Sequence, residues 1–192
     1  MHQTAAKRPS IRQESADRTK SAILKAALRV FSSKGYAEAG VRDIAAEANA
    51  NQALIARYFG SKIELFEAAL EASFDVAWFT RAGRERFGQN IVEMFFGETD
   101  DLSNPVPMLI YAGGDPSARR AALRILTERV VEPLKLWFGE PEAADRAAQL
   151  IAVVTGFFTY RLVLPLAPFQ GPTPGMRRWL ARTLQEIVDQ TP

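Results

Sequence analysis

Within the stretch from Asn51 to Tyr58, the side chains able to do chemistry fall on one helical face. Asn51, Gln52, Ala53 and Arg57 share that face, and Leu54, Ile55 and Tyr58 occupy the opposite one. Amides, a guanidinium and a methyl group on one helix face do the chemistry of recognition. An amide pairs with the edge of adenine, a guanidinium with that of guanine, and a methyl meets the thymine methyl. Covalent chemistry is poorly supplied. The chain has no cysteine, which excludes disulfides, thiolate zinc sites and cysteine nucleophiles. Its one histidine is His2, on a polar N-terminus, which leaves no histidine-dependent triad and no ordinary catalytic zinc site. No catalytic residue, cofactor or metal is expected, and an all-helical enzyme would have only carboxylates, hydroxyls, lysines and arginines to work with.

The elements that must hold this face are two short helices, Val41–Ala48 and Asn51–Tyr58, about a tight turn. Ala45 is small where the second helix crosses the first, and Ile44 and Ala48 face inward. Asn49 is one of the few non-glycine residues that tolerate positive φ. Ala50 tucks under the turn, Asn51 caps the second helix, and Leu54, Ile55 and Tyr58 anchor it. This is the pattern of a helix-turn-helix, although an ordinary corner of two helices has the same outline. Before it, Ile23, Ala26, Ala27, Val30 and Phe31 recur at helical spacing from Asp17 onward, with Ser15 or Asp17 as cap and Gly35 as the stop. After it, Ser61 can cap a long helix running from Lys62 to about Thr80. Further helices are expected over 83–96, 105–112, 117–138, 142–164 and 174–189, separated by glycine- and proline-bearing turns. Nothing alternates at period two, so the fold is expected to be all-α.

Charge divides the chain. Residues 1–62 hold 11 Lys/Arg against 5 Asp/Glu, a net +6, and residues 63–192 hold 13 against 17, a net −4. A basic head on an acidic body suits a polyanion at the head. The expected organisation is a mobile arm (1–16), a helix-turn-helix domain (17–62) and a helical body (63–192). The N-terminus is polar, with Lys7, Arg8 and Arg12 and no apolar stretch behind them, so no secretory signal is expected. The longest apolar run, Leu150 to Tyr160, is shorter than the ~20 residues a membrane span needs. A cytoplasmic protein without a membrane partner is expected.

Several motifs then recur in order: Ile23-Leu24-x-Ala26-Ala27, Phe31-x-x-x-Gly35-Tyr36, Val41-Arg42-Asp43-Ile44-Ala45, and Tyr58-Phe59-Gly60-Ser61-Lys62-x-x-Leu65-Phe66. Over about residues 18–70 the chain resembles the TetR (tetracycline-repressor-like) family of transcriptional regulators. The resemblance implies a three-helix DNA-binding head, a larger helical body that dimerises and encloses an effector pocket, and a regulator, usually a repressor, of a near-palindromic operator. It implies that Arg42, Tyr58 and Lys62 contact phosphates, that Asn51, Gln52, Ala53 and Arg57 face bases, and that Arg18 and Thr19 meet the DNA backbone near the first helix. The chain departs from the family pattern at three places. Ala39-Gly40 stand where a threonine or serine is usual, Asn49 replaces the turn glycine, and Ala56 replaces a common tyrosine.

In the body, Arg146-x-x-Gln149-Leu150, Gly156 and Tyr160 to Leu164 look like a branch of the family whose last two long helices form the dimer. Leu150, Val153, Val154 and Phe157 on the first, with Leu180, Leu184, Ile187 and Val188 on the second, are expected to build a four-helix seam between two copies. Trp78, Phe95, Met108, Tyr111, Phe158 and Arg161 are the expected lining of a cavity for a small-molecule effector, with Arg161 able to pair an anionic group. Each of the aromatic residues is also a plausible core residue. Glu98, Asp100 and Asp101 read as a solvated acidic turn, and Gly113-Gly114 as a turn and no phosphate loop. The rival function is a helical protein-interaction module that does not bind DNA.

Overall fold

The computed structural model describes residues 11–74, 81–97, 104–171 and 173–189, and all regular structure among them is helical. The elements are α1 (Ile11–Glu38), α2 (Val41–Glu47), α3 (Gln52–Phe59), α4 (Lys62–Ser73), α5 (Phe87–Phe96), α6 (Val106–Ala112), α7 (Pro116–Leu126), α8 (Glu132–Phe138), α9 (Ala143–Phe158), α10 (Ala167–Gln170) and α11 (Pro174–Asp189). Helix α1 starts at Ile11 and not near Asp17, so residues 11–16, expected as part of an arm, are helical. No breaker stands between Ile11 and Asp17. Ser15 and Asp17 therefore do not cap α1; the Ser15 carbonyl instead accepts from the Thr19 hydroxyl at 2.9 Å. Gly35 breaks the helix as expected, at φ 73° and ψ 168°, and one more turn follows to Glu38. Helix α4 ends at Ser73, earlier than Thr80, and residues 75–80 lie outside the described residues.

One stripe of α1 organises the head. Ile23, Ala26, Ala27 and Phe31 are fully buried, and Ile44 of α2, Ile55 of α3 and Leu65, Phe66 and Leu70 of α4 close over them. The Phe31 and Phe66 rings meet edge to face at 5.3 Å. Two ion pairs strap α2 to α1, Lys34–Asp43 at 2.7 Å and Arg29–Glu47 at 2.8 Å. Half-exposed pairs of this kind add little stability, and their effect is to set the rotation of α2. The same apolar cluster continues into the body, where Met108, Ala112, Ala118, Ala121, Ala122 and Ile125 belong to it.

A second cluster joins α5, α8, α9 and α11. Here the sequence-based expectation needs correction. Leu180, Leu184, Ile187 and Val188, read as a seam between two copies, are at most 5% exposed within one chain. They are covered by α5 because Gly88 lets α11 approach it: a β-carbon at Gly88 would lie 1.9 Å from the Ala181 carbonyl oxygen. The Gly88 amide donates to Gln185 Oε1 at 3.0 Å, and Gln185 Nε2 donates to the Arg84 carbonyl at 2.8 Å. Leu150 and Phe157 of α9 are likewise buried, whereas Val153 and Val154 stay half-buried. Arg146, also buried, ends α11 by donating to the Ile187 and Val188 carbonyls at 3.0 and 2.6 Å, with its guanidinium 4.5 Å from the Phe138 ring. These carbonyls have no helical partner, and a buried cation satisfies both their hydrogen bonding and the helix dipole.

The helices expected over 117–138 and 142–164 are each interrupted by a π-helical turn, Thr127–Val131 and Thr159–Val163. In both, the leading threonine hydroxyl takes a carbonyl four residues back, Thr127 to Leu123 at 2.8 Å and Thr159 to Thr155 at 2.7 Å. Such back-bonding loosens the helical ladder. Pro133 just beyond the first turn, lacking an N–H, leaves one carbonyl of that ladder without its usual donor.

The packing at Gly88 yields a test. Gly88→Ala should cost about 3 kcal/mol or more, since the methyl meets backbone and no side chain can move aside. Thermal unfolding should show a fall of about 10 °C in melting temperature; a change within 2 °C would refute the α5–α11 register.

Candidate nucleic-acid interface

The α2–α3 turn forms as its residues dictate. Asn49 adopts φ 48°. The Ala50 amide donates to the Ala45 carbonyl at 2.9 Å, and the Asn51 side-chain oxygen accepts from the Ala53 amide at 2.9 Å, capping α3. Ile55 is buried and Leu54, Tyr58 and Phe59 are half-buried, which leaves Gln52, Ala53, Ala56 and Arg57 on the solvent face beside Asn51. Asn51 thus spends its oxygen on the cap and keeps only its amide hydrogens for a partner. Ala56, where a tyrosine was noted as missing, widens the open face by one small residue.

Around this face the expected contact residues differ in how free they are. Arg42 is exposed in the first turn of α2, and among the described residues it has no ion-pair partner; Glu47 pairs with Arg29 instead. Arg57 is exposed and likewise unpaired among the described residues. Arg18 lies 3.7 Å from Glu14 one helical turn away, and Thr19 donates within its own helix. Tyr58 carries the ammonium of Lys20 5.6 Å from its ring centroid. Lys20 was not among the expected contact residues. No local pattern could have pointed to it, because the contact joins the first and third helices.

Lys62 is held differently from the expectation. Its ammonium donates to the Ala37 carbonyl at 3.4 Å and lies 4.5 Å from the ring centroid of Tyr36, which packs on Phe31 and Phe66. It therefore ties the start of α4 to the corner after α1. Ser61 caps α4 as expected, accepting from the Glu64 amide at 3.3 Å, while Glu64 Oε2 accepts from the Ser61 amide at 2.7 Å. At Gly40, which has no side chain to cap α2, Asp43 accepts from the Gly40 amide at 3.3 Å.

These two carboxylates are held below their usual range. For Asp43 the hydrogen bond from Lys34 is the larger cause and that from the Gly40 amide the next; for Glu64 the bonds from Ser61 are responsible. Tyr36 is pushed up by burial and then by the nearby Asp115 carboxylate. Asp115 opens α7, so the aromatic corner of the head faces the body directly.

The residues expected to line an effector cavity do not gather in one place. Phe95 and Phe158 are buried with rings edge to face at 4.7 Å, and the Arg161 guanidinium lies 5.5 Å from the neighbouring Phe96. Met108, by contrast, is buried in the head's cluster, and Tyr111 is partly exposed with its β-carbon against Gly35. The reason is that α6 lies along α1, which turns both residues toward the head. Trp78 lies outside the described residues, as do Glu98, Asp100 and Asp101. No helix among the described residues is long and apolar enough to cross a membrane.

Comparison with known proteins places these features. Residues 23–69 match the family model for bacterial regulatory proteins of the tetR family, and residues 85–188 match that for the tetracyclin repressor-like C-terminal domain. The HTH-type transcriptional repressor NicS of Pseudomonas putida is 42% identical over 74 residues, which are 37% of this chain and 35% of that protein. The HTH-type transcriptional repressor SCO4008 of Streptomyces coelicolor is 49% identical over 53 residues, 28% of each chain. The matched stretches thus span about a third of the length of these relatives. A TetR-family regulator structure from Rhodococcus sp. superposes with TM-score 0.68 at 17% identity, covering 90% of this chain and 100% of that one, a likeness of fold.

Acid titration tests the caps. Asp43 and Glu64 titrate lower folded than unfolded, so their contribution is full above their ordinary values of 3.8 and 4.5 and is lost as pH falls through the lowered ones. The melting temperature should therefore drop between about pH 5 and 3, and the drop should flatten in the Asp43→Asn, Glu64→Gln double variant. An equally steep acid limb in that variant would place the sensitivity elsewhere.

Proposed function

Since the chain belongs to the TetR family of bacterial regulatory proteins, we propose that it is a transcriptional repressor that binds a near-palindromic duplex as a homodimer and is released by a small molecule bound in its body. The observation that carries the reading is the face of α3. Gln52, Ala53, Ala56 and Arg57 are solvated there, on a helix held by a capped turn and by buried Ile55. A helix of this size fits the major groove, where Arg57 pairs with guanine and Gln52 with adenine. Arg42, Lys20 and Tyr58 flank it as phosphate contacts, with Arg18 and Thr19 on α1 and the Asn51 amide at the edge of the face. Lys62 adds its charge to that field while it holds α4 in place.

A second copy would cover what α9 and α11 leave open. Trp179 of α11 is 51% exposed, Leu164 and Leu166 just after the π-helical turn that continues α9 are 60% and 48% exposed, and Val153 and Val154 of α9 are half-buried. The pairing uses the same two helices as first expected, on faces other than the one buried against α5. Two heads on a two-fold axis would present their α3 helices about 34–36 Å apart, one turn of duplex.

Selection from a random duplex library should enrich an inverted repeat. On it, Arg57→Ala or Gln52→Ala should cost about 1–3 kcal/mol per half-site and leave binding to random DNA nearly unchanged. Arg42→Ala should weaken both alike and reduce the salt slope by about one per phosphate lost. Failure to enrich any site at low salt would sink the reading and favour an interaction module. Separately, Trp179→Glu should give a monomer in sedimentation at micromolar concentration and lose the inverted-repeat preference; a stable dimer in that variant would move the interface to another face.

A further inference from the structure

The solvated face of α3 is polar at its edges and apolar in its middle. At about 100° per residue, with Gln52 at the origin, Ala56 stands at about 40°, Ala53 at about 100° and Arg57 at about 140° round the helix. All four are exposed, and Ile55 on the far side is buried. The amide and the guanidinium therefore flank two methyl groups. Ala53 and Ala56 are three residues apart, a rise of about 4.5 Å along the axis, against ~3.4 Å between successive nucleotides of a strand. On a helix laid along the groove, the two methyls meet neighbouring base pairs.

Hydrogen-bond acceptors are scarce on this face. Arg57 has donors only. The side-chain oxygen of Asn51 is turned onto the Ala53 amide at 2.9 Å, so Asn51 offers its N–H groups outward. Among these residues Gln52 Oε1 is left as the accepting oxygen. In the major groove every base pair presents one amino group, adenine N6 or cytosine N4, and Gln52 can take one of them. A methyl pressed on another amino group, or on guanine O6 and N7, strips water from polar atoms and returns no partner. The C5-methyl of thymine is the one apolar group that the four base edges present there.

We propose that Ala53 and Ala56 are specificity-determining residues, which select two adjacent A·T pairs in the middle of each half-site by packing on the thymine methyls. Gln52 and Arg57 read the pairs on either side. The proposal rests on the regulator reading above and names the bases that its reading face selects: hydrogen bonds set the edges of the half-site, and apolar contact sets its centre.

The test starts from the sites enriched out of a random duplex library, which should carry the two A·T pairs. Each central thymine is then replaced by deoxyuridine, which removes the methyl and leaves every hydrogen-bonding atom in place. Each methyl removed should weaken binding about fourfold, the worth of one buried carbon, while deoxyuridine in the spacer should change nothing. This measurement alters no residue of the protein, so folding does not enter. In the Ala53→Ser, Ala56→Ser double variant, with folding followed by thermal unfolding, the preference for thymine over deoxyuridine should shrink toward unity. An enriched inverted repeat with G·C pairs at the centre of its half-sites, equal affinity for the thymine and deoxyuridine duplexes, or an undiminished preference in the folded double variant would each overturn the proposal and leave the regulator reading standing. Enrichment of no site at all would remove both.

Discussion

Helices of seven and eight residues do not persist in water by themselves, because the nucleation cost is not recovered over two turns. Helices α2 and α3 are of that length, and the apolar stripe of α1 allows them to exist. Ile23, Ala26, Ala27 and Phe31 supply a surface on which Ile44, Ile55 and Phe66 can be buried together. The geometry of the reading face follows. The position of Arg57 and Gln52 is set by Ile55 on the opposite side of α3, by the Asn51 cap, and by an α2 rotated into place through Lys34–Asp43 and Arg29–Glu47.

The same pairs shape the field of the head. Three of its five acids, Glu14, Asp43 and Glu47, are engaged with Arg18, Lys34 and Arg29. Among the described residues, Lys20, Arg42 and Arg57 are in no ion pair and lie on α3 or on the helices beside it. These three charges are part of the head's net +6 and stand where a polyanion approaching α3 would feel them.

What could be read from the sequence was local. Gly35, Asn49, Asn51 and Ser61 each do what the backbone conformation or the orphan amides of a helix start require, and each lies within a few residues of the group it serves. The same holds for the inward and outward sides of α3. What could not be read depends on contacts far along the chain. The Leu180–Val188 stripe is as apolar as an interface between copies would be, and only the approach permitted by Gly88 reveals that α5 covers it. Met108 has the composition of a pocket residue and lies in the head, because α6 runs along α1. Lys62 looked like a free cation at a helix start, and Tyr36 and Ala37, some 25 residues earlier, turn it inward. The start of α1 was missed for another reason: a polar segment without a breaker has no periodic stripe to read, yet it can continue a helix that is stabilised further on.

The apolar cluster shared by α1, α4, α6 and α7 bears on modularity. Met108, Ala112, Ala118 and Ile125 fill the head's interior from the body's side of the chain, and Arg124 pairs with Glu67 at 2.9 Å across the same junction. A cut after residue 62 would therefore not release an independent reading head but would open its core to water. The solvated residues of α3, in contrast, support no packing at all. Specificity in this chain can drift by substitution on that one face without cost to folding, whereas a transplanted head would need a body whose α6 and α7 fit it. Heads and bodies of this architecture are for that reason expected to have diversified together as sequences, and to have changed their target sites one side chain at a time.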